Sequence, residues 1–249
     1  MKLSSRKQNI RVEISVIIPA YNEEKYLPKT LEAVSVALSD LSSEVIVVDN
    51  QSTDLTAQIA ADFGAKVISE KEHNISSVRN TGAKVALGEV LIFIDADTIV
   101  PKTLFQQIAA AMQEDEKCFG GAVAVDYGKE FKRKWMRYYL RGWRFWGSFL
   151  NMKQGAAQFC RKTVFEKLNG YDEKIFMGED IEFYWRLSKF ARRSGGNLVF
   201  IENPKVTTST RRFDEMSLWK TFLLTHPLYI WLNWKRQTAW KDWYEKAVR

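Results

Sequence analysis

The 249-residue sequence predicts an α/β protein with a mostly parallel central sheet flanked by helices on both faces. Three observations carry this reading. Short β-branched runs almost free of charge alternate with segments of helical periodicity over residues 13–130. Each run ends in a cluster of polar residues, and the most apolar of them, Val90 to Ile94, is followed at once by Asp95-Ala96-Asp97. Continuous apolar runs are what strands buried on both faces look like.

Ile14-Ser15-Val16-Ile17-Ile18 reads as the first strand, ended by Pro19, and residues 24–38 as a helix with Leu27, Leu31, Val34 and Leu38 at helical spacing. Residues 44–48 form the second strand, which ends at Asp49. A helix capped by Asp54 then runs to Phe63, and Gly64 stops it. Val67-Ile68 is a third, short strand. Residues 76–87 form a helix closed by Gly88, residues 90–94 the fourth strand, and Pro101 at the first helical position opens a helix to about Met112.

Hydrophobic content of 46% suffices for one large domain with appendages. Cys118 and Cys160 are too few for a disulfide framework or structural zinc, which suits a reducing compartment. The net charge of +7 is unevenly shared: residues 1–130 carry 13 basic and 19 acidic side chains, residues 131–249 carry 24 and 11, and all nine tryptophans follow residue 130. Residues 1–12 are polar and basic without an apolar core, so they do not read as a signal peptide, and a cytoplasmic location is expected. No G-x-G-x-x-G follows a strand and no G-x-x-x-x-G-K-[ST] occurs, which excludes the familiar phosphate loops.

In a parallel α/β sheet, ligands bind outside the carboxyl ends of the strands. There this chain places Pro19, Tyr21, Asn22 and Glu23; then Asp49, Asn50, Ser52, Thr53 and Asp54; then Asp95 and Asp97. Two carboxylates on the same side of a strand end make a site for a hard divalent cation. The run from Asp49 to Asp54 reads equally well as a plain loop and helix cap.

Pro19-Ala20-Tyr21-Asn22-Glu23, Val47 to Asp54, Arg79-Asn80-Thr81-Gly82, Asp95-Ala96-Asp97 and Gly178-Glu179-Asp180 together resemble, in order, the signature of family 2 glycosyltransferases of the GT-A fold. The resemblance covers roughly residues 14–209. It implies an inverting enzyme that uses a nucleoside-diphosphate sugar and a divalent metal, Mn²⁺ or Mg²⁺. Pro19, Tyr21, Glu23 and Asp49 would surround base and ribose with Arg79 nearby, Asp95 would approach ribose or metal, and Asp97 would ligate the metal directly. Asp180, with Glu179 beside it, would be the catalytic base. The chemistry asks for these types too: a leaving diphosphate needs positive charge, and an attacking hydroxyl needs a carboxylate. Taken alone, Glu179 and Asp180 would be ordinary first-turn acids of a helix.

The segment from Gln154 through Gly155 and Ala156 to Arg161 also resembles the family's acceptor wall, and Trp185 is placed on that side. The chain departs from the pattern at Asn50, where many relatives carry a second acid, and it lacks the Gln-x-x-Arg-Trp motif of processive synthases. Arg211 and Arg212 are the nearest substitute as a diphosphate clamp. Transfer of a single sugar is the expectation, to a hydroxyl acceptor that is lipid-linked or soluble. The domain then runs over 13–214, with a nucleotide-sugar and metal side at 13–130 and an acceptor side at 131–214. It lies between the polar tail 1–12 and Trp-rich amphipathic C-terminal helices at 215–249.

Residues 132–150 place Trp135, Tyr139, Trp143, Trp146 and Leu150 on one helical face and five basic residues opposite. With the aromatic C-terminus, this describes either interfacial helices on an anionic membrane surface, at the cytoplasmic face, or aromatic faces packed on the domain. No charge-free stretch is long enough to span a bilayer, and no nucleic-acid motif accompanies the charge. His73 and His226 are read as structural or solvated. Two other classes stay open: a sugar nucleotidylyltransferase, whose G-x-G-x-R loop is absent, and a silent nucleotide-sugar-binding or membrane scaffold.

Overall fold

The structure, a computed structural model, describes residues 14–127, 156–211 and 226–236, with Trp219, Phe222, Leu224, Thr238 and Trp240. The tail 1–12, the helix expected at 132–150, Gly155, Arg212 and much of 215–249 lie outside the described residues.

The chain runs β1 (Ile14–Ala20), α1 (Leu27–Leu38), β2 (Ser43–Asp49), α2 (Thr56–Asp62), β3 (Lys66–Ser69), α3 (Ile75–Val85), β4 (Val90–Ile94), β5 (Thr98–Ile99) and α4 (Leu104–Glu114). It continues through β6 (Cys118–Asp126), β7 (Ala157–Arg161), α5 (Lys162–Lys167), α6 (Glu179–Arg193), β8 (Asn197–Thr208) and α7 (Pro227–Asn233). One eight-stranded sheet has the order β3-β2-β1-β4-β7-β6-β8-β5. The first four strands are parallel, as expected, with Ala20 opposite Asp49 and Ile17 opposite Phe93. Beyond β4 the sheet is mixed: β7 is antiparallel to both β4 and β6, β8 is parallel to β6, and β5 is antiparallel to β8.

Successive strand residues face opposite sides of a sheet, so each apolar run feeds two cores. Val16, Ile18, Ile92 and Ile94 pack with Leu27, Leu31 and Val34 of α1 and Leu104, Phe105 and Ile108 of α4. Ile17, Leu91 and Phe93 pack on the other face with Val78 of α3, Phe165 of α5 and Phe183 and Leu187 of α6.

Several expected boundaries shift for local reasons. Helix α1 starts at Leu27 because the Glu23 carbonyl accepts from the N–H groups of Tyr26 and Leu27, closing a turn before the helix. Helix α4 starts at Leu104, whose N–H closes a turn on the Pro101 carbonyl, so Pro101 precedes the helix rather than opening it. Helix α3 ends at Val85, short of Gly88, whose N–H instead donates to Ser15 Oγ (2.8 Å). In the aromatic C-terminal zone the Trp240 ring is fully buried and its Nε1 donates to the Asn233 carbonyl (2.9 Å), whereas Trp219 stands 79% exposed. Among the described residues of that zone, one tryptophan is thus packed and another exposed.

Candidate active site

The loops after β1 and β2 are knitted together. Asn22 N–H donates to Ser52 Oγ (2.9 Å), Thr53 N–H to Asn22 Oδ1 (2.8 Å), Glu23 N–H to Thr56 Oγ1 (2.7 Å) and Glu24 N–H to Asp54 Oδ2 (3.1 Å). Asn22 (φ 53°) and Gln51 (φ 60°) adopt left-handed backbone at the two bends, a region asparagine tolerates better than most residues. Burial pushes the Asp54 carboxyl up, but hydrogen bonds from Thr56 and Glu24 outweigh it and hold the pKa below the ordinary value. Asp49 closes β2 by accepting the Ser52 N–H (3.2 Å). The run from Asp49 to Asp54 is thus a structural clasp, and Asp49 stands buried at its head beside half-buried Pro19 and Tyr21.

Each residue of the Arg79-Asn80-Thr81-Gly82 motif has a distinct task on α3. Arg79 is buried, its side chain 3% exposed, and it bridges Asp95 Oδ1 (2.9 Å) and Glu179 Oε1 (2.6 Å). Burial works against its charge, but Asp95 and Glu179 outweigh that and raise its pKa further. Asn80 ties the helix to the chain before α6, donating to the Tyr171 carbonyl (2.9 Å) and accepting its N–H (2.9 Å). Thr81 Oγ1 donates to Glu70 Oε2 (2.5 Å). Gly82 lets α3 lie directly on β1 and β2, since a Cβ there would sit 2.5 Å from Ile17 Cγ2 and 2.9 Å from Val48 Cγ2.

Asp95 and Asp97 follow β4, and Thr30 Oγ1 fixes the residue between them by donating to the Ala96 carbonyl (2.8 Å). The Asp95 side chain is 34% exposed and leans on Arg79, while Asp97, 13% exposed, pairs with Arg211. Asp97 Oδ1 accepts from Thr208 Oγ1 (3.2 Å), and its Oδ2 lies 3.3 Å from Arg211 Nη2, which also pairs closely with Glu23. The Arg211 guanidinium stacks 4.3 Å from the Tyr26 ring centroid.

On the far side of Arg79, Gly178 (φ 77°) makes the left-handed turn that starts α6, so Glu179 and Asp180 fall in its first turn. There the helix N-terminus favours carboxylates. Glu179 pairs with Arg79, and Gln158 Nε2 on β7 donates to the Asp180 carbonyl (3.0 Å). Ala156 is buried next to this edge, its carbonyl accepting the Asp95 N–H (3.4 Å), and Trp185 stands exposed on α6. The structure thus gathers Asp49, Glu23, Arg79, Asp95, Asp97, Glu179, Asp180 and Arg211 at one edge of the sheet. Arg79 emerges as a buried strut between two acids rather than as a residue open to a nucleotide.

The family model for glycosyl transferase family 2 matches residues 15–168. The chain belongs to glycosyl transferase family 2. The match ends before Glu179, Asp180 and Arg211. The dolichol-phosphate mannosyltransferase of Pyrococcus furiosus is 32% identical over 123 residues, which is 47% of this chain but only 35% of the relative. The chain thus spans about a third of that relative's length. Mannosyltransferase PcManGT from Pyrobaculum calidifontis, solved with GDP-Man and Mn²⁺, superposes with TM-score 0.60 at 19% identity, covering 81% of this chain and 58% of its own. Residues 1–349 of Staphylococcus aureus TarS, solved with UDP, give 0.58 at 21% identity, covering 93% and 69%. Together they show the GT-A fold.

Among the described residues, no group of three or more His, Cys, Asp or Glu side chains gathers as a ready-made metal site. A small divalent ion needs less, being commonly held by one or two carboxylates plus substrate phosphates. Asp97 and Asp95 fit that requirement in kind, with the condition that Arg211 already shares Asp97.

Three residues of this edge take tasks that the sequence did not assign to them. His73 lies exposed beside Tyr21, ring centroids 5.2 Å apart, with Nδ1 3.2 Å from Asn50 Oδ1. Asn50 donates its amide to the Glu70 and Glu72 carbonyls (2.8 Å each). A carboxylate could not make those donations. The amide oxygen can only accept, so the hydrogen-bond pattern assigns a proton to His73 Nδ1. Gln158 was legible only as part of the acceptor wall, because its task depends on β7 being slotted beside β4.

Proposed function

We propose that the chain transfers one sugar, with inversion, from a UDP- or GDP-linked donor to a hydroxyl acceptor. The observation that supports this is the sheet edge where Arg79 joins Asp95 to the start of α6; the nucleotide would lie on the Asp95 side and the acceptor on the α6 side. Asp49, Pro19 and Tyr21, with His73 behind Tyr21, would receive base and ribose. Asp97 and Asp95 would hold Mn²⁺ or Mg²⁺, which when bound supplies the charge neutralisation a departing diphosphate needs. Asp180 would take the proton of the acceptor hydroxyl as its oxygen bonds to the anomeric carbon and the bond to the diphosphate breaks on the opposite face. Attack opposite to departure is what inverts the configuration.

A lipid-linked or membrane-associated acceptor is the further part of the proposal. It is supported by the basic C-terminal half, by exposed Trp219, Phe222 and Leu232, and by a relative named for a lipid phosphate. No helix among the described residues is long and apolar enough to cross a membrane, so contact would be peripheral, on an anionic face. One experiment tests both parts: hydrolysis of UDP-, GDP- and dTDP-sugars with Mn²⁺, in buffer and with anionic vesicles. Turnover of one donor class is expected, together with co-sedimentation at low salt. Failure with every donor would overturn the transferase reading, and failure to co-sediment would overturn the membrane part alone.

A further inference from the structure

Arg211 is buried between two carboxylates, yet its bonding is incomplete. Nη2 serves both Glu23 and Asp97, while Nε and Nη1 are buried with no hydrogen-bond partner among the described residues. A guanidinium carries five N–H donors, and buried donors are costly to leave unmade. The contact to Asp97, at 3.3 Å, is long for a hydrogen bond, so that link is the weaker of the two. Tyr26 covers one face of the guanidinium and Glu23 holds one end, so its fork stays charged and oriented; burial opposes the charge, and the Glu23 hydrogen bond and the charges of Glu23 and Asp97 outweigh it. Two spare, planar, charged donors next to a candidate metal carboxylate match the oxygens of a diphosphate.

We propose that Arg211 has a second set of partners, the diphosphate oxygens of the donor, and leaves Asp97 for them when that carboxylate takes a divalent cation. This rests on the donor reading above. A guanidinium and a divalent ion on one carboxylate repel each other, so occupation of Asp97 by the ion frees the arginine at the point where the phosphates arrive. Ion and nucleotide then strengthen each other's binding through one side chain, and the coupling is reciprocal.

Calorimetry on the whole chain with Mn²⁺ alone, with UDP or GDP alone, and with each nucleotide plus Mn²⁺ tests the exchange. Arg211→Gln removes the competing charge, so it should bind Mn²⁺ alone about tenfold tighter, yet bind nucleotide in the presence of Mn²⁺ about tenfold more weakly, within the usual span of such couplings. Arg211→Lys keeps the charge but loses the fork; it should leave Mn²⁺ affinity unchanged and still lose nucleotide affinity. A thermal melt checks that each variant folds, and the Lys variant carries the test if the Gln variant does not. Parallel losses of Mn²⁺ and nucleotide affinity, or no change in either, would overturn the exchange while leaving the donor reading intact. Absence of UDP and GDP binding by the unmodified protein with Mn²⁺ would overturn the donor reading and the exchange with it.

Discussion

Two neighbouring acids, Glu179 and Asp180, both lie in the field of one buried arginine. Glu179 is buried and paired with Arg79 at 2.6 Å, so it holds the helix to the strand end, and Asp180 remains the candidate for proton transfer. Asp180→Asn keeps the shape and removes the base. Transfer to a hydroxyl acceptor should fall by about 10²–10⁴ while affinity for nucleotide persists, as kinetics beside calorimetry would read. Unchanged turnover would end the assignment. An acceptor that is already an anion, such as a lipid phosphate, would need little proton removal and show a small loss. The sequence could point to this pair but not separate its members, because separation depends on Arg79, 100 residues earlier in the chain. Asp95 and Asp97 were legible as a strand end; that each already leans on a different arginine was not.

Among the elements, α3 is the one on which the site is indexed. Its Gly82 presses against Ile17 and Val48, and three residues earlier Arg79 reaches Asp95 and Glu179. Gly82→Ala asks the helix to back away from β1 and β2. Overpacking of this kind costs about 1–3 kcal/mol, and a lower urea midpoint should show it. A midpoint at or above that of the unmodified protein would mean that the contact is slack. The strands around α3 were readable because Ile14–Ala20 and Val90–Ile94 are apolar nearly throughout. β6 carries Gly120 and Gly121, β7 ends in arginine, and β8 mixes Val and Ile with Asn203, Pro204 and Lys205. Their pairing comes from partners far along the chain rather than from their own pattern. That is why the parallel half was anticipated in detail and the mixed half was not.

For the molecule as a whole, titration at alkaline pH offers a test of the core. Burial raises the pKa of the Tyr171 hydroxyl well above its ordinary value, against the opposing charge of Arg79, and burial raises those of Cys160, Cys118 and Tyr184 as well. In the unfolded chain these groups ionise near about 8.5 for cysteine and 10 for tyrosine. Groups whose pKa is raised on folding contribute stability that is fully present below those unfolded values and is lost progressively as pH rises from them through the raised values of the folded state. Urea midpoints should therefore hold to about pH 8 and fall steadily above it, with a shallower fall in Tyr171→Phe. A flat profile to pH 11 or so would show that these groups reach water in the native state.

The insertion of β7 between β4 and β6 sets a timetable for the newborn chain. Synthesis proceeds from the N-terminus, so β4, buried at every position in the finished protein, emerges well before the strand that covers its flank. Until residue 161 has left the ribosome, that strand is an open, sticky edge of the kind that recruits other chains. A message broken after residue 127 would yield a polypeptide with all four parallel strands and both aspartates, and with nothing to shield them. Cover for that edge arrives with five residues, 157–161, whereas Glu179, Asp180 and Arg211 are still to be made.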